Sequence, residues 1–170
     1  MKKVLPFLSA VFFISLFLQG CDKAEQQITG RLVSHSSCKS SKSLTFYEET
    51  PDTLSCINYF YDSPGKILSL EHINAGFNCC PGEITCSLSV NGDTITITEK
   101  EESSLCNCNC LFDLKIELQH LEPGSYVIKV IEPYCGRQEK LVFTFNPFVF
   151  PVGSVCAKRK LYPWGMSQYL

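Results

Sequence analysis

Apolar and polar residues alternate along much of this chain, most regularly between residues 106 and 119. Every second residue of this run is a cysteine or a large apolar residue: Cys106, Cys108, Cys110, Phe112, Leu114, Ile116 and Leu118. The residues between them are polar, with Leu111 as the one exception. Because successive side chains of a β-strand point to opposite faces, the pattern predicts a half-buried antiparallel strand whose cysteines continue its core face.

Turn residues separate further segments of strand length. Asn91-Gly92 lies between the alternating segments 83–90 and 93–99, and this dipeptide is the strongest short-range signal for a β-hairpin. Pro64-Gly65 separates another pair of segments and predicts a second hairpin. These turns predict short strands that pair with their neighbours in the sequence.

The fold class follows from this regular spacing of strands and turns. No helical periodicity of useful length occurs after residue 20. Segment 121–127, in which Pro123-Gly124 precedes Tyr126, resembles the hairpin entry of immunoglobulin-like exported domains. We therefore expect an all-β fold, an antiparallel and immunoglobulin-like β-sandwich stabilised by disulfides, with residues 28–170 forming one domain.

The first 20 residues have the pattern of an export signal. Lys2-Lys3 precedes an apolar run, 4–18, which is shorter than the about 20 residues that cross the hydrocarbon core of a bilayer. The ending Leu18-Gln19-Gly20-Cys21 resembles the lipobox of bacterial lipoproteins, whose cysteine is lipidated and becomes the first residue after cleavage. This resemblance implies a lipid anchor on Cys21, a tether at 21–27 and a place at the bacterial cell membrane, facing the periplasm or the exterior.

The charge of the chain argues against nucleic acid as a partner. Residues 1–20 contain two lysines and no acidic residue, so 13 basic and 17 acidic residues remain, a net charge of −4. Binding to phosphates gains from counterion release by basic side chains, which this composition does not favour. The one basic run, 158–160, is expected to be solvated, and membrane attachment would come from the lipid.

Ten cysteines remain after Cys21 is assigned to the lipid. They are Cys38, Cys56, Cys79, Cys80, Cys86, Cys106, Cys108, Cys110, Cys135 and Cys156. An even number in an exported chain predicts disulfide bridges, here up to five. Because adjacent cysteines rarely bond to each other, Cys79 and Cys80 are expected to have different partners.

A metal site is the alternative for six of these cysteines. Thiolates select Zn²⁺ or Cu(I), and one ion could bind the group Cys79, Cys80, Cys86, Cys106, Cys108 and Cys110. However, the chain contains no Cys-x-x-Cys, the spacing that places two sulfurs on one zinc. We therefore expect structural bridges and no cofactor, with a zinc or copper site as the alternative.

No combination of residues in the sequence predicts catalysis. His72 has the same parity as the apolar residues before it and is expected to face the core with its hydrogen bonds satisfied. The carboxylate of Glu99 belongs to an acidic cluster, 99–102, that is expected in a solvated loop. Gly153-Ser154 lacks the Gly-x-Ser-x-Gly frame of an exposed nucleophile. We therefore expect that the chain is not an enzyme.

Two apolar segments that contain prolines lie near the C-terminus, at 145–152 and 162–165. Proline excludes a central strand, so loops or edge strands are expected there. These segments could pack across an open end of the sandwich, or they could expose an aromatic patch that binds a partner. The sequence leaves both interpretations open.

Three motifs together resemble a family of small Cys-rich lipoproteins of the bacterial cell envelope. They are the segment 72–81, which ends in Cys79-Cys80-Pro81, then Cys106-x-Cys108-x-Cys110, and then Pro123-Gly124-x-Tyr126. The resemblance implies no activity. The expected function is that of a lipid-anchored, non-catalytic binding or structural module of the envelope, with an envelope protein or a glycan as partner. A metal-binding lipoprotein is the alternative.

Overall fold

The computed structural model describes residues 27–39 and 50–161. These residues form nine strands and no helix, and therefore no helix that could cross a membrane. The strands are β1 (Thr29–His35), β2 (Leu54–Asp62), β3 (Ile67–Asn78), β4 (Ile84–Asn91), β5 (Thr94–Glu101), β6 (Asn109–Gln119), β7 (Tyr126–Ile131), β8 (Val142–Phe145) and β9 (Val152–Lys158). The expected signal 1–20, Cys21 and its tether up to residue 26, and the apolar segment 162–165 lie outside the described residues.

The strands form two sheets that pack against each other, which confirms the predicted all-β sandwich. The first sheet has the order β1-β6-β3-β2-β9, and the second has the order β4-β5-β7-β8. One pair differs from the antiparallel prediction, because β5 and β7 run parallel, with Thr94 opposite Val127. The reason is that β6, which separates them in the sequence, belongs to the first sheet. The chain therefore passes from the second sheet to the first at β6 and back to the second at β7, so that β7 runs in the same direction as β5.

Both predicted hairpins are present. Asn91 lies opposite Thr94 across a turn that contains Gly92, whose φ of 56° is a left-handed conformation that glycine adopts without strain. Strands β2 and β3 form the second hairpin, in which the Gly65 amide donates a hydrogen bond to Asp62. Local turn chemistry thus sets the register of these two pairs.

The apolar core lies between the sheets and consists of alternate residues of facing strands. Its buried members on the strands include Ile57, Leu68, Leu70, Ile95, Ile97, Ile116, Leu118, Ile128, Val130 and Phe145. A second, smaller cluster contains Ala75, Phe77, Ile84, Cys110, Phe112 and Leu114. Strand β3 contributes to both clusters because it has a bulge between His72 and Ala75, where Asn74 has a φ of 62°.

The long alternating run forms a strand only from Asn109 onward. The side chains from Cys110 to Leu118 that share its parity are buried, as predicted. Cys106 and Cys108 lie before the strand, and Cys108 is exposed. The prediction that these two cysteines continue the core face is therefore wrong, because their disulfides to Cys79-Cys80 hold them in a loop.

The segment around Pro123-Gly124 carries the chain from the first sheet to the second. The hydroxyl of Tyr126 donates a hydrogen bond of 2.8 Å to the carbonyl oxygen of Glu122, which is the tyrosine corner of immunoglobulin-like sandwiches. Gly124 lies against the tyrosine ring, where a Cβ atom would be only 3.3 Å away. The motif therefore forms a crossover between sheets rather than a hairpin.

Candidate functional site

Five polar side chains form a buried row between the two sheets, beside the apolar core. Ser55 of β2, His72 of β3 and Arg159 after β9 belong to the first sheet, whereas Glu99 of β5 and Glu132 after β7 belong to the second. None of the five exposes more than 6 % of its surface. Because burying a charge without a partner is very unfavourable, the contacts within this row determine whether the two sheets can pack together.

Hydrogen bonds join the five side chains into a continuous line. Nδ1 of His72 lies 2.6 Å from Oε1 of Glu99, and Nε2 lies 2.8 Å from Oγ of Ser55. The Ser55 hydroxyl donates to Oε1 of Glu132 over 3.4 Å. Nη2 of Arg159 donates to both carboxylate oxygens of Glu132, at 2.8 and 2.6 Å. We call these five residues the ion row.

The electrostatics of the ion row favour a protonated His72. Burial by itself lowers the pKa of this imidazole, but the adjacent Glu99 carboxylate, with a contribution from Glu132, raises it above its ordinary value of 6.5. In the imidazolium form both ring nitrogens donate, one to Glu99 and the other to Ser55. Two cations, His72 and Arg159, then balance two anions.

Three members of the ion row have the order of a Ser–His–Glu catalytic triad. In a triad the neutral histidine accepts the serine proton, and the serine oxygen is open to a substrate carbonyl. Here the raised pKa of His72 favours a proton on the nitrogen that faces Ser55, and both side chains are fully buried. A substrate cannot reach Ser55 in this arrangement, so we interpret the ion row as a set of contacts that holds the two sheets together.

The structure confirms one prediction for these residues and overturns two. His72 faces the core with both ring nitrogens hydrogen-bonded, as expected. The prediction that Glu99 lies in a solvated loop is wrong, because it lies in β5 and is 2 % exposed. The basic run 158–160 is not solvated throughout, since Arg159 is buried against Glu132. In both cases a partner distant in the sequence offsets the desolvation of the charge.

Ser55 and Glu132 are members of the ion row that sequence reasoning missed. A signal was present, because each has the parity of the buried apolar residues in the strand that contains it or precedes it. Ser55 lies two residues before Ile57, and Glu132 lies two residues after Val130. A polar residue that continues an apolar face therefore indicated a buried polar layer, but it did not indicate which charges meet.

Eight of the ten cysteines form disulfides, which confirms that bridges brace this fold. The pairs are Cys38–Cys110, Cys56–Cys156, Cys79–Cys108 and Cys80–Cys106. The adjacent cysteines have different partners, as predicted. Three of the bridges gather the loops at one end of the sandwich, which we call the cysteine end, whereas Cys56–Cys156 joins the directly opposed residues of β2 and β9.

The described residues contain four bridges, within the predicted limit of five, and Cys86 and Cys135 are unbridged among them. Both thiols lie beside the ion row. Burial, together with the charge of Glu99, raises the pKa of Cys86 to about 11, and burial together with Glu132 raises the pKa of Cys135. Because the thiolate is the reactive form of cysteine, both thiols are expected to be unreactive at neutral pH.

The sulfurs considered for a zinc or copper site are not free thiolates in this structure. Among those six cysteines only Cys86 is unbridged. In the part of the chain that the structure describes, no three His, Cys, Asp or Glu side chains are grouped so that they could hold a metal ion. The metal hypothesis therefore has no set of ligands there.

The outer face of the first sheet carries a shallow groove of about 530 Å³. Its lining is mainly apolar and includes Phe60 and Val152, together with the polar side chains of Asn58, Glu71 and Lys115. Amide, carboxylate and ammonium groups beside an aromatic ring can hydrogen-bond and stack against a polar ligand such as a glycan or a peptide. This groove is open to solvent, unlike the ion row.

Comparisons with known proteins found no matching family model, no matching curated protein and no matching solved structure. The geometry itself defines the class of domain. It is an all-β sandwich with four disulfides in its described residues, in which a buried ion row joins the two sheets.

We expect Glu132→Gln to lower the free energy of unfolding by about 3–5 kcal/mol, because it leaves Arg159 buried without its carboxylate. The matched control is Glu122→Gln, which breaks the exposed pair with Lys66 and should change stability by about 0–1 kcal/mol. Urea unfolding followed by circular dichroism measures both. Similar losses in the two variants would contradict the role of the ion row.

The raised pKa of His72 predicts a stability that depends on pH. Its contribution is complete below the pKa of the unfolded imidazole, near 6.5, and is lost as pH rises through the higher folded pKa. The difference in unfolding free energy between the wild type and His72→Gln should therefore decrease from pH 6.5 to pH 8.5, by at most about 1.4 kcal/mol per pH unit. A constant or increasing difference would contradict the assignment.

The disulfide pattern predicts the number of free thiols. After denaturation without reductant, alkylation should modify two of the ten cysteines at 27–39 and 50–161, namely Cys86 and Cys135. In the native protein both should react slowly, because their pKa values are raised. Intact mass and peptide mapping measure the modification. Ten modified cysteines would refute the bridges, and none would indicate a fifth bridge.

Proposed function

We propose that this chain is exported, carries a lipid anchor on Cys21 and acts at the cell envelope as a non-catalytic binding or structural module. The observation that carries the proposal is the pairing of eight cysteines in four disulfides. Such bridges form in oxidising compartments outside the cytosol. The resemblance of residues 18–21 to a lipobox supplies the route of export and the site of attachment.

The chemistry of the ion row supports a non-catalytic role. Its serine and histidine are fully buried and its two carboxylates almost fully buried, so a substrate has no route to them. The thiols of Cys86 and Cys135 have raised pKa values and are poor nucleophiles at neutral pH. The serine, histidine, carboxylate and thiol groups named above thus contribute to packing, and recognition would occur at the surface of the domain.

The outer groove offers surface groups for recognition. Lys115 and Glu71 offer opposite charges within it, and Phe60 offers an aromatic face. An envelope glycan or the backbone of an envelope protein could use these hydrogen-bonding groups together with the ring. The partner in our proposal is one of these two classes.

Labelling with palmitate in a bacterial host tests the anchor. The wild-type chain should incorporate the label and stay with the membrane fraction after a high-salt wash, whereas Cys21→Ser should not be labelled. Cys86→Ser is the matched control, because it removes another cysteine that lies outside the described disulfides, and it should be labelled like the wild type. An unlabelled wild-type chain, or label retained in Cys21→Ser, would refute the proposal.

A further inference from the structure

The loop between β8 and β9 exposes three consecutive large apolar side chains. We call residues 147–151 the aromatic loop. Within it Phe148 is 77 % exposed, Val149 59 % and Phe150 64 %. These side chains do not pack across the end of the sandwich, so the first interpretation of this segment is wrong for them. Exposed apolar side chains that are contiguous, unlike single scattered ones, indicate an interaction site.

The backbone of the aromatic loop has no unbonded N–H group. The amide of Phe148 donates to the side-chain oxygen of Asn146 at 3.0 Å, and the amides of Val149 and Phe150 donate to its carbonyl oxygen at 3.1 and 2.9 Å. The prolines that bound the loop have no N–H to donate. Because an unsatisfied N–H is costly in an apolar medium, this loop is suited to contact with lipid.

Strand register places the aromatic loop at the end of the sandwich where β1 begins. Thr29, the first residue of β1, lies opposite Gln119 of β6. One step inward, Leu118 of β6 and Tyr61 of β2 both lie opposite Leu68 of β3. The amide of Tyr61 donates to the carbonyl oxygen of Pro151. The chain that leads back to Cys21 therefore leaves the domain at the end that carries the loop.

The segment between Cys21 and β1 is long enough to span the distance from β1 to the aromatic loop. Strand β9 is four strands from β1 in the sheet, or about 19 Å at about 4.8 Å per strand. Seven residue steps join Cys21 to Ile28, and they span at most about 25 Å. A membrane that holds lipid on Cys21 can therefore contact the aromatic loop without any change in the fold.

The charges at this end do not favour an anionic surface. Asp62, Asp93 and Glu122 lie there with Lys66, which pairs with Glu122. Attraction of basic residues to acidic lipids is therefore weak at this end. The side chains of the loop are those that insert into the interface of a membrane through their apolar surface.

We propose that the aromatic loop inserts into the interfacial region of the phospholipid bilayer to which Cys21 is anchored. The inference rests on the proposed lipid anchor and extends it from one attachment point to two. Two contacts at the same end fix the orientation of the domain. The cysteine end then points away from the membrane, and the outer groove lies on the side of the domain rather than against the membrane.

Fluorescence quenching by brominated lipids tests this contact. The full lipidated protein carrying Phe148→Trp is reconstituted into phosphatidylcholine vesicles with brominated acyl chains. The matched control is Leu105→Trp at the cysteine end, where the native leucine is 75 % exposed. The protein without either substitution gives the background from Trp164, and its signal is subtracted. Disulfide content, measured by alkylation, shows that each variant is folded.

The added fluorescence of Phe148→Trp should fall to half or less in brominated vesicles and should change little with salt. Leu105→Trp should be unaffected. Equal quenching of the two variants, or no quenching of Phe148→Trp, would overturn the inference while palmitate labelling still supported the anchor.

If palmitate labelling fails, the same chains are added to preformed vesicles. Quenching confined to Phe148→Trp would then support the loop contact alone, and its absence would overturn it.

Discussion

The buried ion row is the interaction on which the packing of the two sheets depends. Apolar side chains accept a range of neighbours, but a buried charge requires its partner at hydrogen-bond distance. The sheets can satisfy both pairs only in the alignment that joins His72 to Glu99 and Arg159 to Glu132. Since buried ion pairs add little net stability compared with apolar contacts of the same volume, we interpret the row chiefly as a selector of one alignment.

The remaining stabilising features are distributed unequally between the two ends of the domain. Three disulfides constrain the loops of the cysteine end, and each restricts the unfolded chain by joining residues 26 to 72 positions apart. The opposite end has hydrogen-bonded turns, the tyrosine corner and the aromatic loop. One end is thus braced covalently, and the other presents apolar surface beside the start of β1. This difference between the two ends agrees with the proposal that the domain is attached to a membrane at one end.

Sequence reasoning succeeded where the determining contacts are local. The hairpin at Asn91-Gly92 depends on residues within the turn, and the buried face of β6 depends on alternation within one strand. It failed for Glu99 and Arg159, although both have the parity of a core face. A charged side chain on such a face is expected to stay in water, because its burial raises the free energy of the folded state unless an opposite charge lies next to it. The partners of these two residues are each 27 positions away in the sequence.

The sequence by itself determined the class of fold, the two hairpins, the inward face of β6 and the prediction that cysteines form bridges. Only the tertiary structure decided which cysteines pair, across separations of 26 to 100 residues. It alone placed Ser55, Glu132 and Arg159 in one row and brought Pro151 to the end where β1 begins. The physical reason is that alternation and turn chemistry act between near neighbours, whereas these contacts depend on the order of strands in the two sheets.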